Sequence, residues 1–470
     1  MWICSNSYLR WPTGRPVSSW VSVGWIAALS DSMMIIADSI RTITMITTAR
    51  CCSPRLIFSF LSLSASCRWE WFFVFVRIMQ LVYADLHYAY QRARRGKSKK
   101  KEIIAREADL EKNMQQLYKD ICAWNYQIGT TKRYIVADPV VREIVALSFR
   151  DRIVQHLVSH YLMPLFESQW IHDSYANRVG KGTLFGIRRV DKFMRSCSRN
   201  YTVDARVLKL DIQSCFMSIS RTLVRQLVTR RLFACRVGRS KEIILSLVHK
   251  ILFHDYVTWR EDHTIASLRK ILPVHKSMLA CPPNTWLPLG NLTSHLFSNI
   301  ILHELDLFIK HELHIHYYGR YVDDFVCMHA DQGYLKSCIA KIEYFLSTQL
   351  GLHIHPRKIY FQHFTKWVPF LWVVIKPYCR LIGRKTIRAL QKLPSLIPPR
   401  ISLADGVHIG QSINSYFGLV RHHDSFCLRK SLISALPPNR YNYLRVRPGY
   451  SSVKPRVREV QNTQNLLQKN

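Results

Sequence analysis

Acidic residues are scarce in this 470-residue sequence, which has 31 Asp and Glu against 67 Lys and Arg, a formal net charge of +36 and a pI near 10. Such an excess opposes compact folding through self-repulsion unless a polyanion neutralises it. The cations are spread along the chain, which favours a long binding channel over a short patch. The composition therefore indicates nucleic-acid binding in preference to docking on an anionic membrane.

Paired cysteine spacings are also missing. The 13 cysteines are odd in number, only Cys51 and Cys52 are adjacent, and no C-x-x-C pair occurs. This pattern argues against a zinc site and against a disulfide framework. Reduced thiols in a cytoplasmic protein are the simpler interpretation.

Lysine is absent from residues 1–78, a leader that holds 13 serines and six of the 12 tryptophans. Its apolar runs, LIFSFLSL (56–63) and WFFVFV (71–76), are too short to span a bilayer. No basic start precedes a clean apolar stretch with a small-residue cleavage site, so no secretory signal is predicted. We expect translation to start at Met79 and expect no stable membrane association. A membrane-associated leader remains the alternative.

Regular structure is predicted after Met79. The run RARRGKSKKK (92–101) places seven cations in ten residues, and it is either a solvated linker or a phosphate contact. From about Val136, strand-like and helix-like stretches alternate with short loops, which predicts an α+β fold. Apolar residues after the basic run stand near helical spacing and predict a helix: Ile103, Ile104, Met114, Leu117, Ile121 and Trp124.

Two adjacent aspartates, Asp323 and Asp324, separate the stretches HIHYYGRYV (314–322) and FVCMH (325–329). Both stretches are rich in aromatic and β-branched residues, so they predict a hairpin with the aspartates at its tip. An isolated pair of this kind would be an ordinary polar turn, since Asp favours turns.

A third carboxylate gives the pair a chemical use. The stretch VLKLDIQSCFMSI (207–219) predicts a strand that ends at Asp211, followed by a helix. Three carboxylates at one place hold two divalent ions about 3.5–4 Å apart, as in-line phosphoryl transfer requires. Mg²⁺ prefers such oxygen ligands and keeps substrate phosphates among the others. The three aspartates therefore predict nucleotide chemistry.

Three stretches resemble, in the same order, the palm motifs of reverse transcriptases: LKLDIQSCF (208–216), LPLGNLTSHLFSNIILHELD (287–306) and RYVDDF (320–325). Residues 149–183 are similar to the fingers of bacterial retroelement enzymes, and residues 412–433 to the start of a thumb. Two further stretches, LGLHIHPRKIYFQ (350–362) and FLWVVIKPY (370–378), resemble the last palm motifs.

The combination of GNLTS with SYANR, GKGT and VIKPY is most similar to the reverse transcriptases of diversity-generating retroelements. The resemblance covers about residues 79–436. It implies an α+β right-hand polymerase with fingers, a palm of antiparallel sheet plus helices, and a helical thumb. The implied organisation is an atypical leader (1–78), a basic N-terminal helical extension (79–137), fingers and palm (138–375), thumb (376–436) and a basic flexible tail (437–470).

The resemblance assigns the metal-binding positions. Asp211, Ile212, Asp323 and Asp324 would hold two Mg²⁺ ions, or Mn²⁺ in their place. Lys358 aligns with a lysine that protonates the leaving pyrophosphate, and a phosphate-binding role for it stays open.

The resemblance also implies nucleotide-binding positions. Phe216 falls where an aromatic ring excludes ribonucleotides, with a core phenylalanine as the alternative. Arg152 and Lys181 would neutralise phosphates, or they are surface charges. Gly290 permits close backbone approach. Leu289 replaces a glutamine that contacts the nucleotide in retroviral relatives, and it is associated with misincorporation opposite adenines, with simple packing as the alternative.

The expected function is RNA-directed DNA synthesis that copies a template RNA into error-bearing cDNA for targeted diversification. Deoxynucleoside triphosphates, template RNA, DNA and a small basic accessory protein are the implied partners. Alternatives are a group II intron-type or defence-associated reverse transcriptase, and an impaired RNA-binding scaffold. The impaired scaffold is an alternative because Trp367 and Trp372 stand where glycines are expected beside the primer grip, and His295 stands where glutamine is usual. Tyr321 is expected to pack near the primer end.

Overall fold

The computed structural model describes seven ranges of the chain: 83–137, 140–234, 240–258, 260–396, 403–423, 425–436 and 444–455. The expectation for the leader (1–78) lies outside the described residues. Within the seven ranges, no helix combines the length and the apolar character needed to cross a membrane.

The described residues combine helices with sheets whose strands pair antiparallel except for one short parallel pair, which confirms the predicted α+β fold class. The helices are α1 (83–94), α2 (Lys101–Glu107), α3 (Leu110–Cys122), α4 (Phe149–Glu167), α5 (Thr183–Cys197), α6 (Cys215–Ser218), α7 (Arg221–Ala234), α8 (Ser240–Phe253), α9 (Ala266–Ile271), α10 (Leu292–Leu307), α11 (Gln332–Phe345), α12 (Arg384–Lys392), α13 (Leu403–Val420) and α14 (Phe426–Ser434). The strands are β1 (Thr131–Val136), β2 (Arg142–Ala146), β3 (Arg206–Asp211), β4 (Arg260–Asp262), β5 (Tyr317–Tyr321), β6 (Asp324–His329), β7 (Tyr360–His363), β8 (Val368–Phe370), β9 (Val373–Lys376), β10 (Cys379–Ile382), β11 (Leu444–Val446) and β12 (Val453–Pro455).

The helix predicted after the basic run is two helices, α2 and α3, because the helical conformation is interrupted at residues 108–109. Met114, Leu117 and Ile121 are buried as their spacing predicts. Trp124 is exposed because α3 ends at Cys122 and Trp124 takes a left-handed backbone conformation, and Ile104 on α2 is exposed as well. The extension therefore packs through a narrower apolar stripe than the sequence indicates.

A four-stranded antiparallel sheet in the order β5-β6-β3-β7 positions the aspartates. Directly paired residues of such a sheet point to the same face, and alternate residues along a strand do the same. Asp211 pairs with Asp324, and Val207 pairs with Met328. Asp211, Asp324 and these two apolar residues therefore share one face.

The two faces of this sheet are covered differently. On the face opposite the aspartates, Leu208, Leu210 and Phe325 join the main core with residues of α10 and α11. On the aspartate face, α5 and the sheet β10-β9-β8 bury Val207 and Met328 at the far end of the strands. The end that carries Asp211 and Asp324 is left outside that second core.

The predicted thumb, 376–436, begins within a small sheet and continues with helices. The sheet β10-β9-β8 runs across position 376, and the helices begin at Arg384. Within 437–470, β11 and β12 form a hairpin, and Asn414 of α13 exchanges two hydrogen bonds with the backbone of Val453, at 2.6 and 2.8 Å. This hairpin differs from the flexible arm predicted there, because Leu444 and Val453 are buried against the thumb helices.

Candidate active site

Asp211 and Asp324 face each other across neighbouring strands, and Asp323 lies in the turn before β6. The predicted hairpin with the aspartates at its tip is confirmed, since β5 and β6 pair up to Tyr321 and Asp324. The predicted strand ending at Asp211 is confirmed as well. Val322 has a φ of 57°, a left-handed conformation that costs a β-branched residue free energy. The turn therefore needs support from its surroundings.

That support comes from Arg320, which sequence reasoning missed. Its side chain is fully buried, and its guanidinium donates two hydrogen bonds of 2.7 Å to the carboxylate of Asp306 on α10. It also donates to the carbonyl of Val322 at 3.1 Å, and Tyr318 donates to Asp306 at 2.6 Å. A charged pair between two layers of the fold thus fixes the strained residue next to Asp323.

A second support is the segment around Tyr175, which follows α4. Its backbone N–H donates to the carbonyl of Arg320 at 2.9 Å. The ring passes so close to β5 that a Cβ built on Gly319 would lie 2.1 Å from the Tyr175 hydroxyl. On the other side, a Cβ on Gly186 would lie 2.8 Å from the same ring. Two glycines therefore make room for one tyrosine beside the turn.

Lysines neutralise two of the three aspartates. Lys358 Nζ donates to Asp211 Oδ1 at 2.8 Å, from a side chain that is 53% exposed. Lys209 Nζ lies 3.1 Å from Asp324 Oδ1, close enough for an ion pair but outside hydrogen-bond geometry. The Lys209 and Asp324 side chains are only 21% and 17% exposed. Among the described residues, Asp323 has no ion-pair partner.

Burial and mutual repulsion shift the titration of the adjacent aspartates. Burial raises the pKa of Asp324 to about 7, against the opposing effect of Lys209 and with help from Asp211 and Asp323. Burial and the charge of Asp211 raise the pKa of Asp323, which Lys358 partly offsets. Both shifts come first from burial, and the neighbouring carboxylates add to them.

The donor chemistry of this cluster suits a hard divalent cation. Carboxylate oxygens are the ligands that Mg²⁺ prefers, and a cation here would offset the burial and the repulsion that raise both pKa values. Within the described ranges, no three His, Cys, Asp or Glu side chains already stand in metal-coordinating geometry. Lys358 and Lys209 instead contact one oxygen each of Asp211 and Asp324. The residues fit the ion, and binding would require these lysines to move. Ile212, predicted in the same set, is buried and donates its N–H to the carbonyl of Asp323 at 3.1 Å.

Phe216 lies on the short helix α6, at the edge of the main core. Its ring is partly buried and meets His295 edge-on, with 5.6 Å between ring centroids. Its carbonyl accepts from the N–H of Leu287 at 2.7 Å. Phe216 therefore contacts Leu287 and His295, which belong to a separate motif of the sequence.

The stretch with Leu289 and Gly290 lies against β2. The carbonyl of Leu289 accepts from the N–H of Val145 at 2.9 Å. Gly290 has a φ of 101°, and a Cβ there would lie 2.8 Å from the side chain of Ile144. The glycine is therefore required by its backbone conformation and by this contact, while Leu289 is half-buried.

The predicted phosphate-binding cations, Arg152 and Lys181, each donate a hydrogen bond to a backbone carbonyl. Arg152 donates to the carbonyl of Leu147 at 2.8 Å, and Lys181 donates to the carbonyl of His172. Within the described residues, neither contacts an aspartate of the cluster. Arg142, at the start of β2, is exposed and close enough to lower the pKa of Asp323. The sequence analysis missed Arg142, because an exposed arginine on a strand has no distinguishing local pattern.

The two unexpected tryptophans take ordinary backbone conformations. Neither Trp367 nor Trp372 has a positive φ, and Leu371 supplies the left-handed residue of the β8–β9 turn. Trp367 is half exposed, with Lys376 Nζ 3.7 Å from its ring centroid. The carbonyl of Trp372 accepts from Gly383 at 2.8 Å. The surrounding loop accommodates both rings, so backbone strain gives no reason for impairment.

Comparison with known proteins identifies the family of the domain. The model described as "Reverse transcriptase (RNA-dependent DNA polymerase)" matches residues 137–390, more than half of the chain. The predicted α+β right-hand polymerase fold is thereby confirmed. None of the curated protein sequences compared with this chain matches it significantly.

Solved telomerase structures are also similar to this chain. One, from Candida albicans, is in complex with a fragment of telomeric RNA and is 10% identical, with a TM-score of 0.40, over 67% of this chain and 60% of that one. Another, apo telomerase from Candida tropicalis, is 11% identical, with a TM-score of 0.40, over 66% of this chain and 61% of that one. The chain thus spans about three fifths of the length of these telomerase chains.

Proposed function

Because the chain belongs to the reverse transcriptase family, we propose that it is an RNA-directed DNA polymerase that copies a template RNA into cDNA. The observation that carries the proposal is the register of the central sheet, which sets Asp211 opposite Asp324 with Asp323 in the adjoining turn. In-line phosphoryl transfer needs such a set of carboxylates near the primer 3′-hydroxyl and the α-phosphate.

Asp211, Asp323 and Asp324, with Ile212 beside them, would hold two Mg²⁺ ions, or Mn²⁺ in their place. When bound, the ions would lower the pKa of the primer hydroxyl and neutralise charge on the triphosphate. Lys358 already reaches Asp211 and is exposed enough to turn toward a phosphate instead. Its ammonium would then donate a proton to the leaving pyrophosphate or bind a phosphate oxygen.

The incoming nucleotide would lie between the aspartates and β2. Gly290 and the half-buried Leu289 lie against this strand, and Arg142 on it is close enough to Asp323 to lower the pKa of that carboxyl. Arg142 is therefore a better candidate for contact with the triphosphate than Arg152 or Lys181, whose polar groups are directed to backbone carbonyls. Phe216 would lie under the sugar and exclude a 2′-hydroxyl.

Error-prone synthesis for targeted diversification is the finer part of the proposal. Leu289 supports it, since an aliphatic side chain makes no polar contact that would reward a correct pair. The small basic accessory protein belongs to this part and rests on the sequence resemblance alone. The unstrained backbone at Trp367 and Trp372 favours an active polymerase over an impaired RNA-binding scaffold.

Primer extension on a defined RNA template tests both levels. We expect Mg²⁺-dependent DNA synthesis that Asp323→Asn abolishes, with RNA binding retained. RNA binding without synthesis in the unaltered protein would favour the scaffold.

Sequencing the cDNA then tests the finer part. Leu289→Gln is expected to lower errors opposite template adenines, with Leu292→Gln, an exposed position nearby, as the matched control. Adenine errors that persist unchanged in Leu289→Gln would reject the role of Leu289.

A further inference from the structure

The outer side of α5 carries a stripe of cations that the proposed catalytic machinery does not use. Arg188, Lys192, Arg195 and Arg199 are exposed and separated by four, three and four residues, so they follow one side of the helix and its end. We call these four residues the α5 cation stripe. The opposite side of the helix is buried against the second core, through Ile187, Val190, Phe193 and Met194.

The charge of this stripe is not compensated. Within the described residues, none of its four cations forms an ion pair. Three of them line a groove of about 500 Å³, whose acidic residue, Asp191, lies 3.8 Å from Arg380 Nε on β10. Arg380 therefore competes with the cations of the stripe for the carboxylate of Asp191. Concentrated positive charge without counter-ions attracts a polyanion.

An exposed aromatic ring lies at the end of the stripe. Arg199, Asn200 and Tyr201 all have positive φ, and this turn brings the Tyr201 ring to 4.7 Å from the ring of Tyr378. Tyr378, in the β9–β10 turn, is 80% exposed. Tyr201 in turn stacks on Phe364, so the exposed Tyr378 ring packs against a stacked aromatic pair. Exposed rings beside cations are the recurring parts of single-strand binding sites, where bases stack and phosphates pair.

We propose that the α5 cation stripe and Tyr378 bind single-stranded RNA outside the catalytic cleft. This inference rests on the proposed function, because the RNA would be a template segment away from the reacting end. A single strand is favoured over an acidic protein, since the exposed ring offers a stacking surface for an unpaired base.

The position of the stripe sets a minimum length for an RNA that contacts both the stripe and the aspartates. The α5 helix covers Val207, four residues before Asp211 on β3, which is about 13 Å at about 3.3 Å per residue. At about 3.4 Å per nucleotide along a helical strand, at least about four nucleotides separate the stripe from the aspartates. A template that extends fewer than about four nucleotides from the reacting end should therefore not contact the stripe, and a longer one should.

The test measures the affinity for labelled, unstructured RNA of about 30 nucleotides by fluorescence anisotropy, at about 50 to about 200 mM salt. The variant is Arg188→Gln, Lys192→Gln and Arg195→Gln together. Its matched control neutralises three exposed cations at similar spacing on α12: Lys385→Gln, Arg388→Gln and Lys392→Gln. A thermal melt confirms that both triple variants fold.

For the long RNA, three lost phosphate contacts should lower the slope of log K against log salt by about 2, at about 0.7 per contact. The control triple variant should keep its slope. Tyr378→Ala should weaken long-RNA binding about tenfold without changing the slope, because stacking involves no counter-ion release.

Equal slope losses in both triple variants would show general charge attraction only and would overturn the inference. An unchanged slope in the stripe variant would overturn it too, and would leave an acidic protein segment as the occupant of the surface. Primer extension on a template too short to reach the stripe distinguishes failure of this inference from failure of the proposed polymerase function. A stripe variant that extends such a template normally shows an intact polymerase whatever the binding result.

Discussion

Asp324→Asn should stabilise the metal-free protein above neutral pH. Asp324 has a pKa of about 7 in the folded protein, against 3.8 for an unperturbed aspartate. The folded state therefore holds its proton more tightly than the unfolded state does. Below about pH 4 both states are protonated, and the stabilising contribution is fully present. As the pH rises through 7 this contribution is lost, so stability falls across this window.

The size of the effect follows from the shift. A difference of about three pKa units corresponds to ~4 kcal/mol at 1.36 kcal/mol per unit. The Asp324 side chain is only 17% exposed, so water screens little of this free energy. Asparagine mimics the protonated carboxyl, which removes the pH dependence between about pH 4 and 7 and raises the free energy of unfolding at pH 8 by up to ~4 kcal/mol.

Urea denaturation in EDTA at pH 5 and pH 8 measures this difference. Asp109→Asn, at an exposed position, is the matched control and should leave the pH dependence unchanged. Added Mg²⁺ should stabilise the unaltered protein more than it stabilises Asp324→Asn, because the ion compensates the buried negative charge that the asparagine variant lacks. A variant that is no more stable than the parent at pH 8 would refute the reasoning.

Three further substitutions test the support of the site and its selectivity. Arg320→Gln leaves a buried carboxylate unpaired, so urea denaturation should show a loss of about 3–5 kcal/mol; a loss under about 1 kcal/mol would contradict the role of the buried pair. Gly319→Ala should lower stability by about 1–3 kcal/mol and reduce primer extension, because the new methyl collides with Tyr175; Tyr175→Phe in the same chain should restore part of both, and no rescue would contradict the collision. Phe216→Ala should admit ribonucleotides in primer extension, and unchanged sugar discrimination would reject the gate.

The local patterns of the chain were enough to predict the strands and the hairpin that carry the aspartates. Strand preference and side-chain alternation are local properties, and β3, β5 and β6 follow them. The helix prediction after the basic run was less accurate, because the spacing of apolar residues does not reveal the break at 108–109. In the described part of the predicted tail, residues 444–455, tertiary contacts decided the structure, because Leu444 and Val453 pack on the thumb helices.

By itself, the sequence determined the reverse transcriptase family and the fold class, and it predicted the strand and the hairpin that carry the three aspartates, since each depends on residue types in a fixed order. Only the tertiary structure decided what surrounds them. Arg320 and Asp306 are fourteen residues apart and form a fully buried pair, while Lys358 reaches Asp211 across 147 positions. Local patterns cannot reveal such partners, because a salt bridge depends on distance in space and burial. The charge balance at the aspartates is therefore a property of the packed sheet.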